Sequence, residues 1–250
     1  MLISVVTVAR NNAATIEQTI RSVAAQEHPE VDHVVVDGAS TDGTVGVVES
    51  HRETVTTFVT EPDGGIYDGM NKGIGLAKGE VIGTLNADDF YAGPGVLASV
   101  ARVFRDPLVD ACYGDLLYVD QHDTDRVVRY WRSRPYQPGL CRTGWMPAHP
   151  TFFVRRRVYE RHGRFNLAYR FCADFELTTR FLEVHGIRSV YIPQIMVHMR
   201  TGGATNRSLS NIVRGNLESY RACRNLNLRV TPLFIARKVL QRVPQFFQRP

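Results

Sequence analysis

The residues with the clearest chemical promise lie in two short segments, Val34–Thr44 (VVVDGASTDGT) and Thr84–Phe90 (TLNADDF). Each is an apolar run that ends in acidic side chains: Asp37 in the first, Asp88 and Asp89 in the second, with Asn86 just ahead of them. Ligands of open α/β sheets bind beyond the carboxyl ends of the strands, so both segments are expected to face one crevice. Carboxylates gathered at one mouth repel each other unless a cation or hydrogen-bond donors sit between them. A divalent ion carrying a diphosphate meets that need, because Mg²⁺ prefers one or two carboxylates plus substrate phosphates to an all-protein cage.

The elements needed to position such a site show as periodicity. Leu2 to Ala9 reads as a buried strand, Thr15 to Ala25 as a helix with Ile16, Ile20, Val23 and Ala24 on one face, and His33 to Asp37 as a second strand. Ser40 to Asp42 offer caps for the next helix, and Val55 to Thr60 makes a third strand. Ile66, Met70, Ile74 and Ala77 fall at helical spacing, with Gly79 expected to close that helix. Val81 to Asn86, a helix from Pro94 to Phe104 and a strand from Ala111 to Val119 continue the alternation. Strands alternating with helices imply an α/β fold with a mainly parallel sheet.

Past residue 120 the rhythm changes. Asp120 to Asp125 is a polar turn, Val127 to Trp131 a strand, and Arg132 to Pro150 a proline-rich loop whose length suggests function or mobility. Helices are expected over Arg155 to His162 and Asp174 to Val184, a short strand over Ser189 to Ile192, and two terminal helices over Leu209 to Leu226 and Leu233 to Val243.

Composition narrows the classes. The chain has 250 residues, 44% of them hydrophobic, enough for a substantial core, and no run approaches the roughly 18 apolar residues of a membrane span. The start, MLISVVTVARNN, lacks a basic stretch and passes directly into a strand pattern, so no signal peptide is expected. Cys112, Cys141, Cys172 and Cys223 show no CxxC spacing and read as reduced thiols of a cytoplasmic protein. The net charge of +5 hides a gradient: residues 1–110 carry 16 acidic against 7 basic residues, whereas residues 200–250 carry 10 basic against 1 acidic. An acidic half with a basic tail does not suit a nucleic-acid reader, so no nucleic-acid partner is expected. Gly64 to Gly79 lacks GxxxxGK[ST], and no GxGxxG follows the first strand, which argues against a P-loop NTPase and a standard dinucleotide dehydrogenase.

The ordered series TVARNN, VVVDGASTDGT, EPDGGIYDGMNKGIGLAKGE, LNADD, AHPTFFVRR and RFCADFELTTRF resembles the family 2 glycosyltransferases of the GT-A fold, in the bacterial branch that builds exopolysaccharides and glycolipids. The resemblance covers about residues 1–205 and implies roles residue by residue. It places the nucleotide base at the turn of Thr7, Ala9 and Asn11, and on Asp37, whose carboxylate can accept an imide N–H or a ribose hydroxyl. It sets Asp63, Asp68, Asn71 and Lys72 beside the nucleotide, with Lys72 as a point charge for a phosphate. Asn86, Asp88 and Asp89 stand in place of the DxD motif that binds the metal–diphosphate, so Mn²⁺ or Mg²⁺ is the implied cofactor. Because Asn86 replaces the first Asp, Asp88 must carry most of the ligation, with Asp89 as a further ligand or as a partner that orients the ligands.

Asp174 matches the position of the catalytic base; Glu176, two residues on, points elsewhere around the helix. His149, Asp115 and the glycine-hinged Arg200–Gly203 loop are further candidates. The implied partners are a nucleotide-diphosphate sugar donor and a saccharide or lipid-linked acceptor. The stripe Leu233, Ala236, Val239, Leu240 and Val243, with Arg237, Lys238 and Arg242 on other faces, suits contact with an anionic membrane. The whole reads as a GT-A-like domain over residues 1–205, divided into a nucleotide-sugar half (1–120) and an acceptor half (121–205), with a basic helical extension over 206–250. The expected enzyme is inverting and metal-dependent, in the cytoplasm or at the inner face of the plasma membrane. Two alternatives remain: a non-catalytic nucleotide-sugar-binding module, and a sugar nucleotidyltransferase, which would normally carry a GxGxR-type loop where this chain has ARNNAAT.

Overall fold

The computed structural model describes residues 1–202 and 209–248. In chain order the first half runs β1 (Ile3–Ala9), α1 (Ile16–Ala24), β2 (Val31–Asp37), α2 (Thr44–Glu49), β3 (Thr57–Thr60), α3 (Ile66–Leu76), β4 (Val81–Asn86), β5 (Phe90–Tyr91) and α4 (Val96–Val103). The second half runs β6 (Ala111–Val119), β7 (Val127–Trp131), β8 (Phe153–Arg155), α5 (Arg156–His162), α6 (Ala173–Thr179), β9 (Ser189–Arg200), α7 (Leu209–Asn225) and α8 (Phe234–Leu240). The strands form one mixed sheet in the order β3-β2-β1-β4-β8-β6-β9-β5, with β7 added on β6. Strands β3, β2, β1 and β4 are mutually parallel, and β8 is antiparallel to both β4 and β6. Since β9 is parallel to β6, the carboxyl ends of β1 to β4, β6 and β9 all lie along one edge.

Both faces of the central strands are covered, which is why β1 is buried at every position instead of alternating. Val6, Val8, Val34 and Val36 pack with Met70 and Ile74 of α3 and with Phe175, Ala222 and Phe234 from the later helices. Ile3, Val5 and Leu85 on the opposite face meet Val23, Val96, Leu97 and Val100. All four cysteines are buried thiols.

Several sequence expectations change. Strand β9 runs twelve residues, well past Ile192; Pro193 masked its continuation, as a proline demotes a strand pattern. Helix α3 ends at Leu76, so Gly79 is no helix cap. A β-carbon at Gly79 would lie 2.5 Å from the Ser4 nitrogen, so close backbone packing explains the glycine. The Arg132–Pro150 stretch is not an open loop: Cys141, Trp145, Met146 and Ala148 are buried in it and two 3₁₀ turns punctuate it. On α8 the expected polar Lys238 is buried while Leu233 and Leu240 are exposed. Gly203 of the expected glycine-hinged Arg200–Gly203 loop lies outside the described residues.

Candidate active site

Two strand-end turns are laced into one floor. After β1, Asn11 takes a left-handed conformation (φ 57°); its N–H donates to Ser40 Oγ at 2.8 Å and its Oδ1 accepts the Thr41 N–H at 2.9 Å. The Gly38 N–H donates to the Ala9 carbonyl at 2.8 Å, and Ala13 N–H to Asp42 Oδ2 at 3.0 Å. Asp42 also accepts the Thr44 N–H at 3.0 Å, but the N-cap of α2 is Gly43, which corrects the expected cap from Ser40 to Asp42. Asp37 holds this floor from below. Its carboxylate accepts the Ser40 N–H at 2.9 Å, the Thr60 hydroxyl at 2.7 Å and the Ser40 hydroxyl, and it has no exposed surface. Three donors from the loop it shapes and from β3 thus already engage the carboxylate. The Thr7 side chain is buried within the sheet and shares a 3.0 Å hydrogen bond with His33 Nε2 on β2. Burial holds that histidine down at about 4.

The glycine-rich helix α3 does different work from the one expected. Lys72 pairs with Glu61 at 2.8 Å, donates to the Pro62 carbonyl at 2.8 Å and lies 3.8 Å from Asp68. Its charge is paired within the β3–α3 connection. Asp68 in turn accepts the Gly64 N–H at 2.9 Å. Asn71 clamps the acceptor half, donating to the Phe165 carbonyl and accepting the Phe165 N–H, both at 2.9 Å.

At the end of β4, Asn86 Nδ2 donates to Asp89 Oδ2 at 2.9 Å. Asp89 is fully buried, and burial together with the charge of Asp88 pushes its carboxyl well above the usual range. Asp89 Oδ2 therefore orients Asn86, one of the two roles expected of this residue, while its Oδ1 has no hydrogen-bond partner. Asp88 is half-buried at the turn, and its carbonyl accepts from Arg200 at the end of β9. The Arg200 guanidinium also donates to Gln18 and lies 5.2 Å over the Phe90 ring.

The described residues contain no group of three or more His, Cys, Asp and Glu arranged to hold a metal alone. The donor set still suits Mn²⁺ or Mg²⁺ carried by a diphosphate: Asn86 Oδ1 and Asp89 Oδ1 are both buried oxygens lacking a hydrogen-bond partner, beside the Asp88 carboxylate.

Helix α6 meets α3 through a side-chain hydrogen bond. Asp174 lies in its first turn, where the helix dipole favours an anion, and is half-buried. Its Oδ1 accepts the Tyr67 hydroxyl at 3.1 Å and the Phe175 N–H at 2.8 Å. Tyr67 comes from α3, 107 residues away in sequence, and stacks on Phe165 with ring centroids 5.4 Å apart. His149 meets the same ring edge-on at 5.7 Å and lies 3.3 Å from Thr84 Oγ1; burial lowers its pKa and the nearby Asp174 charge partly restores it. Glu176 faces the other way, paired with Arg180 at 2.9 Å. It lines a cavity of about 350 Å³ with Asn166, Tyr169, Glu218, Arg221 and Asn225. Asp115 is structural: it is buried and accepts the Tyr130 and Tyr191 hydroxyls at 2.6 and 2.9 Å. Sequence reasoning missed Tyr67 because it lies off the apolar stripe of α3, with no pattern pointing to α6.

Comparison with known proteins adds the family. The glycosyl transferase family 2 profile matches residues 4–163. The chain belongs to this family. It is 36% identical over 220 residues to an uncharacterized glycosyltransferase of Mycobacterium tuberculosis, covering 86% of this chain and 81% of that one. It is 27% identical over 218 residues to a PGL/p-HBAD biosynthesis glycosyltransferase of Mycobacterium bovis, covering 82% and 79%. Among solved structures, S. aureus TarS 1-349 in complex with UDP-GlcNAc aligns with a TM-score of 0.70 at 17% identity, over 99% of this chain and 73% of that one. A mannosyltransferase from Pyrobaculum calidifontis, in complex with GDP-Man and Mn²⁺, aligns at 0.64 and 20% identity, over 96% and 68%. The family 2 glycosyltransferase therefore has the GT-A fold, and glycosyl transfer is its chemistry.

Proposed function

We propose that this glycosyltransferase moves a sugar from a nucleotide-diphosphate donor to a saccharide or lipid-linked acceptor hydroxyl, with inversion at the anomeric carbon. The observation that supports this reading is the hydrogen bond that ties Asp174, in the first turn of α6, to Tyr67 of α3; among the described residues both bonds to its carboxylate fall on Oδ1. Asp174 Oδ2 is then the oxygen that takes the acceptor proton as the hydroxyl attacks the face opposite the leaving diphosphate. A carboxylate suffices as the base when loss of the diphosphate runs ahead and the oxocarbenium-like sugar acidifies the incoming hydroxyl. The loop floor of Asn11, Ser40 and Thr41 receives the base through backbone groups, and Asp37 keeps that floor in shape. Asp88, helped by the orphan oxygens of Asn86 and Asp89, would hold Mn²⁺ or Mg²⁺, whose chemistry is to screen the diphosphate and stabilise it as a leaving group. The likeness to a PGL/p-HBAD biosynthesis glycosyltransferase and the basic C-terminal segment support work at the cytoplasmic face of an anionic membrane.

Asp174→Asn keeps shape but accepts no proton. Turnover is expected to fall roughly 10² to 10⁴-fold with donor affinity nearly unchanged. A loss confined to KM would instead make Asp174 a binding residue, and wild-type turnover would remove it from the mechanism.

A further inference from the structure

Helix α8 is turned inside out relative to an ordinary surface helix. Phe234 and Lys238 face the body, whereas Leu233 is 61% exposed, Leu240 65% and, in the turn that follows, Phe247 81%. Val239, Val243 and Phe246 are exposed as well. A helix held only by its own hydrophobic face would bury those leucines and expose the lysine.

The inversion is locked in place. Lys238 Nζ donates to Ser219 Oγ of α7 at 2.5 Å and lies 4.6 Å from the Phe175 ring of α6. Gly144 presses against the same lysine from the other side: it has a φ of +86°, and a β-carbon there would meet Lys238 Cβ at 2.5 Å. Gln241 Nε2 donates to the Thr143 carbonyl and hydroxyl at 3.2 and 3.0 Å. Further along, Arg129 of β7 donates to Gln245 Oε1 at 2.7 Å, and its guanidinium lies 5.5 Å from the Phe246 ring. The segment is thus tied to the body at both ends while its apolar side chains stay outside.

Charge selects the occupant. Arg237 is exposed at the helical offset between Leu233 and Leu240, and Arg242 follows, within a stretch of 10 basic and 1 acidic residues over 200–250. Exposed leucines and phenylalanines interleaved with arginines match a bilayer surface rich in anionic headgroups, where apolar side chains enter the acyl boundary and guanidinium groups meet phosphates.

We propose that Leu233 to Phe247 is a rigid docking platform for an anionic lipid bilayer. This deepens the membrane contact of the proposed function and rests on it. The platform fixes the orientation of the protein body because it is clamped through Lys238 and Arg129, and it therefore sets how the crevice meets an acceptor held in that membrane.

The test is co-sedimentation of the whole chain with vesicles of phosphatidylcholine alone or mixed with phosphatidylglycerol, without donor or acceptor. The protein is expected to pellet with the mixed vesicles only, and less so as salt rises. Leu240→Glu combined with Phe247→Glu, both at exposed positions, is expected to lower that partition at least about tenfold while the thermal shift caused by nucleotide stays as in the parent. Equal pelleting of parent and variant overturns the platform. Absence of pelleting with mixed vesicles overturns it too, as does a parent dimer that the variant converts to monomer, because a second copy would then cover the face. Transfer to a soluble acceptor without vesicle binding would leave the proposed function standing and remove the platform; vesicle binding without transfer would do the reverse.

Discussion

The Tyr67 phenol reaches from the donor side to the carboxylate on the acceptor side, so one hydrogen bond joins the two halves at the proposed reacting group. Hydrogen bonds to charged groups contribute about 1.5–3 kcal/mol. Tyr67→Phe keeps the ring stacked on Phe165 and removes only that donor. It is expected to lower kcat roughly 10- to 100-fold with donor affinity unchanged, read from single-turnover rates alongside nucleotide titration. Asp88 and Asn86 divide the metal work differently. Asp88→Ala removes a charge whereas Asn86→Ala removes one neutral acceptor, so diphosphate binding is expected to weaken more for Asp88→Ala, and a chelator is expected to abolish transfer. Isothermal titration of the nucleotide diphosphate with and without Mn²⁺ measures both; full activity of Asp88→Ala in chelator would remove the metal from the scheme.

Helices and their connections decide which of these residues are available. Helix α3 spends Lys72 on Glu61 and Asn71 on the Phe165 backbone, so it is a strut between halves rather than a phosphate cradle. Lys72→Ala is accordingly expected to change diphosphate affinity less than about twofold, whereas Asn71→Ala loosens the 164–166 connection and costs turnover. Helix α8 offers a test by pH. Burial lowers the Lys238 ammonium to about 8 from an ordinary 10.5, so between those values the unfolded chain binds more protons than the folded one. Stability from this residue therefore rises as pH climbs from about 8 towards 10.5, and below 8 the lysine carries its full penalty, roughly 3 kcal/mol at its upper bound. Lys238→Met is expected to raise the melting temperature at pH 7 and to flatten the alkaline rise, because apolar replacement of a buried charge is often stabilising. Differential scanning calorimetry across pH 7–10 reads both.

The whole molecule closes these parts around one edge of the sheet. Because β9 runs parallel to β6, its last residue, Arg200, arrives at the turn after β4 and meets the Asp88 carbonyl from 112 residues away. A ligand bound only by this assembled edge raises global stability by mass action, about 2.7 kcal/mol at a hundredfold excess over Kd. A panel of UDP, GDP and dTDP is therefore expected to shift the melting temperature by roughly 5–10 °C for the matching base, and only with Mn²⁺ or Mg²⁺ present. Equal shifts with and without metal would show that the nucleotide binds without it.

The sequence by itself determined the alternation of strands and helices through residue 119, the strand-end positions of Asp37 and Asp88, the first-turn position of Asp174 and the family. Those features are local: periodicity of 2 or 3.6 and a residue's place at the end of a run need no partner elsewhere. Only the tertiary structure decided what the side chains touch. Asp37 and Asp89 have acidic types at the expected positions, yet each carboxylate turns inward, one to Ser40 and Thr60, the other to Asn86. The length of β9, the inward lysine of α8 and the Tyr67–Asp174 bond depend on neighbours tens of residues away or more. Side-chain direction at a strand end or helix face is set by whichever surface packs against it, and packing of distant segments leaves no periodic trace in the chain.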